Sequence, residues 1–175
     1  MDDKAASWSI RKARPEDLDT LLQIYDEAVV WLNAQGITTQ WGTTPVSSRP
    51  HVVKEITGLI DFGYVAEADE LLGFIAFNSK PDSAFAEFID IETLMSATYV
   101  HSLVARRTPQ ARGIGVALLR YAEENARAMG HETFLLSCYA ENPKLIAHYE
   151  SFGLTRCGVA YENGRGEQLF RKDIQ

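Results

Sequence analysis

The stretch PQARGIGVALLRYAEENARAMG, Pro109 to Gly130, predicts the start and course of a helix behind a glycine turn. Gly113 and Gly115 flank one isoleucine, and apolar side chains then recur at the spacing of an amphipathic helix. Shortly before it, TYVHSLVA reads as a strand over residues 98–105. A strand, a glycine turn and a helix together gather unpaired main-chain N–H groups at the positive end of the helix dipole. The junction therefore predicts an anion site, most naturally for phosphate.

Two familiar phosphate-binding loops do not match this junction. A P-loop needs a lysine followed by serine or threonine after its last glycine, but the chain continues with Val116 and Ala117. A dinucleotide-binding turn needs glycine or alanine at position 118, which is Leu118. Paired glycines also occur in plain tight turns, so on these residues alone both interpretations stay open.

The pattern outside this stretch predicts a mixed α/β (α+β) fold, with a mainly antiparallel mixed sheet and helices on both faces. Residues 80–97 are too irregular to assign. We expect one domain over residues 1–175. The predicted strands cover residues 8–13, 63–67, 71–77, 98–105, 133–139, 155–161 and 168–172, the last two joined by a turn at NGRG, and the predicted helices cover 15–34, 50–60, 113–129 and 143–152.

Composition and charge exclude several classes of function. The 175 residues carry a net charge of −7, which argues against a nucleic-acid-binding protein and is compatible with a cationic substrate. No window approaches the ~18 apolar residues of a membrane span, so we expect no membrane partner and a cytoplasmic protein. Cys138 and Cys157 lack the spacing of a zinc site, and we expect buried free thiols. The histidines His51, His131 and His148 show no metal-ligand pattern either.

Three segments resemble the GNAT family of N-acetyltransferases, and together they span nearly the whole chain. SLVARRTPQARGIGVALL is similar to the family's acetyl-CoA signature, with Gln110, Gly113 and Gly115 at its defining positions. Ala111 departs from it where glycine is frequent, which would restrict the main chain if that position needs positive φ. NPKLIAHYESFGL resembles the family's closing segment, and SIRKARPEDLDTL resembles its first strand and helix.

The resemblance implies an acetyl-CoA-dependent N-acetyltransferase without a metal, acting on a primary amine of a small molecule or peptide. It implies that main-chain N–H groups of the glycine turn hold the coenzyme A diphosphate, and that the end of the preceding strand binds the pantetheine arm. Dimers are common in the family, so the resemblance also allows a homodimer. The coenzyme residues implied are Leu103, Val104, Ala105, Gln110, Ala111, Arg112, Gly113, Ile114, Gly115, Val116 and Asn142.

The resemblance also implies catalytic residues. Tyr149 matches the family's tyrosine that protonates the departing thiolate. A phenol suits this role, since with a pKa of ~10 it stays protonated at neutral pH. Many family members place a carboxylate on the strand before the pantetheine site, but this chain has none there. His101, two residues before Leu103, is the nearest titratable group on that strand for the role of base. Its rivals are an ordered water relay and the carboxylates of Glu87, Asp90 and Glu92. Asn142 also precedes Pro143 as a predicted helix cap.

The acceptor side is less defined. In the family, the loop after the first helix forms one wall of the acceptor pocket, which makes Trp31 and Trp41 candidate substrate contacts. Packing in the core is the alternative for both side chains, and it is favoured for Trp31. Two further functions stay open: a non-catalytic acyl-CoA-binding sensor or partner module, and a transferase that uses another acyl donor or nucleophile. A purely structural protein is the third reading.

Overall fold

The computed structural model describes residues 7–175 and contains a seven-stranded sheet with five α-helices in that part of the chain. The strands are β1 Ser9–Lys12, β2 Gly63–Glu67, β3 Leu71–Asn78, β4 Ala97–Ala105, β5 Thr133–Tyr139, β6 Thr155–Glu162 and β7 Arg165–Asp173. The helices are α1 Leu18–Ala34, α2 Pro50–Leu59, α3 Ile91–Met95, α4 Ile114–Ala128 and α5 Pro143–Ser151.

The strand order is β1-β2-β3-β4-β5-β7-β6. The β1–β2, β2–β3, β5–β7 and β6–β7 pairs are antiparallel, whereas β4 and β5 are parallel. The predicted mixed, mainly antiparallel α/β fold is confirmed. The chain divides into two compact units, residues 7–76 with 102–119 and residues 77–101 with 120–175. The expectation of one domain over residues 1–175 stays a prediction.

The core of the first unit lies between α1, α2 and one face of its strands. The stripe predicted for α1 is buried, with Leu21 and Ile24 fully inaccessible to solvent. It packs against Val65, Phe74 and Val104 from the strands and Ile56 from α2. The period of the α1 pattern thus matches a helix with one face on a sheet.

The opposite face of β3 contacts the start of α4. Gly73 follows the strand alternation and points away from Phe74. A Cβ atom at Gly73 would lie 2.8 Å from the carbonyl oxygen of Val104 and 2.9 Å from Cγ2 of Ile114. Glycine is therefore required at this position, because the end of β4 and the first turn of α4 both approach the β3 main chain there.

The core of the second unit has one cluster under the segment that contains α3. Phe85, Leu94 and Tyr99 pack with Leu135 of β5 and Leu169 of β7. On another part of the unit, Tyr149 of α5 packs edge-on against Phe170 of β7, with ring centroids 5.7 Å apart. The helix α5 is thus anchored to the sheet by an aromatic pair.

Two local features differ from the sequence prediction. The segment predicted as irregular contains α3, which Asp90 caps by accepting a hydrogen bond from the Thr93 N–H at 2.9 Å. The final hairpin turns more tightly than predicted, on Asn163 and Gly164, whose φ angles are 50° and 78°. Two successive positive φ angles are typical of a type I′ turn. Strand β7 consequently begins at Arg165 rather than at residue 168.

We predict that Gly73→Ala lowers the free energy of unfolding by about 1–3 kcal/mol, because the added methyl overlaps main-chain and core atoms. Gly58→Ala is the matched control: Gly58 is an exposed position in α2, a Cβ there meets nothing within 4 Å, and alanine favours the helix by about 0.5–1 kcal/mol. Chemical denaturation of both variants measures the difference. Equal stabilities for the two variants would contradict the close packing at Gly73.

Candidate functional site

The end of β4 extends beyond its pairing with β5. The parallel register with β5 runs from Ala97 to Val100, while the strand continues to Ala105. The Arg106 N–H donates to the Leu72 carbonyl at 2.8 Å, so even-numbered residues here direct their main-chain groups toward β3. By the same alternation, Leu103 and Ala105 direct theirs to the opposite edge, where an extended ligand can pair with a strand.

This alternation separates the three residues that the resemblance implies for the pantetheine arm. Val104 is buried in the core of the first unit, and its carbonyl oxygen lies toward β3 at Gly73. Leu103 and Ala105 are partly exposed. The strand geometry therefore favours Leu103 and Ala105 over Val104 for main-chain contacts with a ligand.

The glycine turn lies in the same unit and leads directly into α4. A short 3₁₀ turn, Pro109–Ala111, precedes it, and Gly113 has a φ of +81°. In the first main-chain hydrogen bond of the helix, the Ala117 N–H donates to the Gly113 carbonyl at 3.0 Å. The N–H groups of the preceding first-turn residues, 114–116, consequently have no acceptor within the helix.

The alanine at position 111 does not strain this turn. Among residues 7–175, Asn163 is the one non-glycine residue with positive φ, so Ala111 adopts an ordinary conformation. Its side chain is buried and its N–H donates to the Thr108 carbonyl at 3.1 Å. The departure from the family pattern is thus accommodated without the penalty that a positive φ would bring.

The turn has room and donors for a bound diphosphate. A Cβ atom at Gly113 or Gly115 would meet no heavy atom within 4 Å, so the main chain is accessible at both positions. Gln110 and Arg112 are exposed beside it. The Thr108 hydroxyl at the start of the turn is buried and makes no hydrogen bond within the described residues. These features fit a phosphate group that approaches the main chain closely.

Two consecutive arginines follow β4 and contact α1 differently. Arg106 forms an ion pair with Glu27, and its Nε donates to the Leu71 carbonyl at 2.8 Å. Arg107 instead lies over the Trp31 ring, 4.1 Å from the ring centroid. Trp31, predicted as a substrate contact, thus has one ring face against Arg107; its role toward a substrate stays a prediction.

The second tryptophan belongs to a cluster that sequence reasoning missed. Trp41 is partly exposed and lies beside Tyr25, with ring centroids 5.1 Å apart. The Tyr25 hydroxyl forms a hydrogen bond with the Ser102 hydroxyl, one residue before Leu103. Burial raises the pKa of Tyr25 to about 12. The cluster connects the loop after α1 to the end of β4, but the role of Trp41 toward a substrate stays a prediction.

In the second unit, Tyr149 is buried between aromatic rings. Its ring packs against Phe170 and, at a centroid distance of 5.7 Å, against His148. Within the described residues its hydroxyl makes no hydrogen bond. Burial, with a smaller contribution from the Cys138 thiol, raises the pKa of Tyr149 well above that of an ordinary phenol. The hydroxyl is therefore a proton donor, not a phenolate, at neutral pH.

His101 lies in the same unit near the end of its β4 segment. Its Nε2 is 2.8 Å from Oδ1 of Asn78, which also accepts the Lys80 N–H at 3.0 Å. The amide oxygen accepts, so Nε2 carries a proton. Desolvation lowers the pKa of His101 below its ordinary value, against a raising effect of Asp82. The imidazole is consequently neutral at pH 7 and able to accept a proton.

The rival carboxylates differ in how they are engaged. Asp90 caps α3 through the N–H and hydroxyl of Thr93, and these bonds lower the pKa of Asp90. Glu87 and Glu92 are exposed on the same segment. A carboxylate held as a helix cap is a poorer base than a free one, so Asp90 is the least suited of the three.

Asn142 has the capping geometry that its position before Pro143 predicts. Its Oδ1 accepts the Leu145 N–H at 3.1 Å, and the residue is 5% exposed. Cys138 is buried and Cys157 partly buried, and both thiols are free. Among residues 7–175, no group of histidine, cysteine and acidic side chains is arranged to hold a metal ion.

Comparison with known proteins identifies the class to which this fold and these residues belong. A model of the acetyltransferase (GNAT) family matches residues 23–154. The chain therefore belongs to the GNAT acetyltransferase family. A search of curated proteins found no match. None of the described helices is long and apolar enough to cross a membrane.

Many solved structures have a similar fold at low sequence identity. PaiA N-acetyltransferase from Thermoplasma acidophilum, in complex with coenzyme A, is 20% identical with a TM-score of 0.71, covering 95% of this chain and 99% of that one. YncA from Salmonella typhimurium, with its cofactor acetyl-CoA, is 18% identical with a TM-score of 0.63, covering 97% and 95%. Ribosomal-protein-alanine N-acetyltransferase from Brucella melitensis is 24% identical with a TM-score of 0.63, covering 95% and 99%.

We predict opposite stability changes at the two glycines of the turn. Gly113→Ala places a side chain at φ +81° and lowers the free energy of unfolding by about 1–2 kcal/mol. Gly115 lies within the first turn of α4, so Gly115→Ala raises the free energy of unfolding by about 0.5–1 kcal/mol. Thermal or urea unfolding of the ligand-free variants measures both changes. Destabilisation by both substitutions to the same extent would show that the turn is built differently.

Proposed function

We propose that this protein transfers the acetyl group of acetyl-CoA to a primary amine of a small molecule or peptide. The observation that carries the proposal is the accessible main chain at Gly113 and Gly115, at the start of α4 and packed on β3 beside the end of β4. In this proposal the N–H groups of residues 113–116 hold the coenzyme diphosphate, and Arg112, whose own N–H donates to the Pro109 carbonyl at 3.3 Å, contributes the charge of its exposed side chain. Gln110 and Ala111 complete the loop around it, and Asn142 also contacts the coenzyme.

The end of β4 holds the pantetheine arm in this proposal. Leu103 and Ala105 pair with the amides of the arm as a neighbouring strand would, and Val104 supports them from the core. Such pairing fixes the position of the thioester relative to the protein main chain. PaiA and YncA, which share the fold, were solved with coenzyme A and acetyl-CoA, respectively.

The transfer needs a neutral amine, and it releases a thiolate. The amine nitrogen attacks the thioester carbonyl carbon, and the carbon–sulfur bond then breaks. We assign Tyr149 as the general acid toward the departing sulfur, because its phenol carries its proton at neutral pH and can donate it as the carbon–sulfur bond breaks. We assign His101 as the base that accepts the amine proton, directly or through water.

The acceptor is assigned by class only. The net charge of −7 favours a cationic amine over nucleic acid. Trp41 is the proposed aromatic contact for it, because aromatic faces attract alkylammonium groups. Trp31 is less suited to this role, since the Arg107 guanidinium already lies over its ring. The Brucella melitensis relative is named for acetylation of a protein alanine, which favours including peptide amines in an acceptor panel. A homodimer, as is common in the family, completes the proposal.

The main alternative is a protein that binds acyl-CoA without catalysis. It needs the glycine turn but not a protonated tyrosine, so Tyr149 favours the enzyme. A transferase with another acyl donor or nucleophile uses the same residues and differs only in the acceptor and acyl pockets. Screening acyl-CoA donors against a panel of amines, with release of free thiol as readout, separates these three functions.

We predict that Tyr149→Phe lowers kcat by about 100-fold or more and leaves coenzyme A affinity within about 3-fold, because the phenol acts on the departing sulfur. Tyr161→Phe is the control, since Tyr161 is 76% exposed on the terminal hairpin. Turnover and equilibrium dialysis of both variants test the assignment. Unchanged turnover in Tyr149→Phe would remove Tyr149 as the acid.

We predict that the acidic limb of kcat/KM against pH has its midpoint below ~6.5, since desolvation lowers the pKa of His101. The base form is present above that midpoint, so activity is retained at pH 7 and lost as the pH falls. His101→Gln removes this limb and lowers the rate at pH 7 by about 10-fold or more. His51→Gln, on an exposed position of α2, is the control. An unchanged limb in His101→Gln would assign the base elsewhere.

A further inference from the structure

Arg106 and Arg107 are adjacent, but only the first has an acidic partner. The Arg106 guanidinium is 8% exposed and pairs with Glu27, with Glu70 at 3.8 Å. Arg107 makes no ion pair with a carboxylate among residues 7–175. The Arg107 side chain is exposed, so its positive charge is available at the surface to an anionic ligand.

The Arg107 guanidinium is positioned by Trp31. The guanidinium carbon lies over the indole ring, 4.1 Å from the ring centroid. A guanidinium offers five N–H donors, which suit bidentate binding of a phosphate or carboxylate. Desolvation lowers the pKa of Arg107, but an arginine stays charged at neutral pH.

Arg107 is also close along the chain to the glycine turn. It follows Ala105, the last residue of β4, by two positions and precedes the turn Pro109–Ala111 by two. The next residue, Thr108, has a buried hydroxyl without a hydrogen-bond partner. All these residues belong to the same compact unit as the start of α4. An anion bound at Arg107 would therefore be near a diphosphate bound at the turn.

We propose that Arg107, stacked on Trp31, binds a phosphate group of the nucleotide end of coenzyme A as a site additional to the glycine turn. This inference rests on the proposed function, because it takes coenzyme A as the ligand. The nucleotide end offers two such groups, the 3′-phosphate of the ribose and the diphosphate. Both are multiply charged oxyanions, and the 3′-phosphate is separated from the diphosphate by one ribose.

The test compares ligands that differ by one phosphate. Isothermal titration calorimetry of the full chain measures the affinity for coenzyme A and for dephospho-coenzyme A, which lacks the 3′-phosphate. Arg107→Gln is compared with Arg120→Gln, an exposed arginine of α4 whose loss changes net charge equally. We expect Arg107→Gln to weaken coenzyme A binding by about 10- to 100-fold, and Arg120→Gln by less than about 3-fold.

The dephospho ligand tells the two phosphate groups apart. If Arg107 binds the 3′-phosphate, Arg107→Gln leaves dephospho-coenzyme A affinity unchanged. If Arg107 binds the diphosphate, Arg107→Gln weakens the binding of both ligands by the same factor. Equal coenzyme A affinity in Arg107→Gln and the wild type would overturn the inference, and so would equal losses in Arg107→Gln and Arg120→Gln.

Two further variants test the stacking. Arg107→Lys keeps the charge but not the planar fork, and Trp31→Leu removes the ring on which it lies; we expect each to lose part of the affinity. Unfolding curves of all variants confirm that they fold. The inference and the proposed function fail differently: a wild type that binds neither ligand contradicts the proposed function, whereas a wild type that binds both while Arg107→Gln is unaffected contradicts only the inference.

Discussion

The close approach of β3, the end of β4 and the start of α4 at Gly73 is the constraint on which the candidate site depends. A side chain there would overlap the Val104 carbonyl and Ile114, so only glycine lets the end of β4 and the start of α4 pack on β3 together. This packing places one edge of a strand and the first N–H groups of a helix in one compact unit. Each provides main-chain hydrogen-bond groups, and neither depends on the identity of a side chain.

Main-chain donors also reconcile an anionic ligand with an acidic protein. The chain carries a net charge of −7, and Arg106 near the glycine turn is neutralised by Glu27. Helix N–H groups and the helix dipole supply positive potential for a diphosphate and need no excess of basic residues. Burial acts in the same direction on both proposed catalytic groups: it raises the pKa of Tyr149 and lowers the pKa of His101, so both stay neutral at pH 7.

The sequence predicted the elements that depend on local pattern. Strand β5 has the predicted bounds, and α4 and α5 end within one residue of theirs, because their apolar periods and flanking glycines are local signals. The helix α3, Gly73, the Tyr25–Ser102 hydrogen bond and the stacking of Arg107 on Trp31 were not predicted. Each of the last three joins segments far apart in sequence, and α3 is too short for periodicity to detect. The roles of Tyr149 and His101 came from resemblance and stay predictions.

The central claim is that main-chain N–H groups at the start of α4 hold the diphosphate of coenzyme A. The most direct measurement is a titration of the ¹⁵N-labelled protein with coenzyme A, followed through its assigned amide resonances. The account predicts that the amides of residues 113–116 show the largest shifts, in the direction of stronger hydrogen bonding. Saturable binding that leaves these four amides unshifted, while amides elsewhere move, would contradict it.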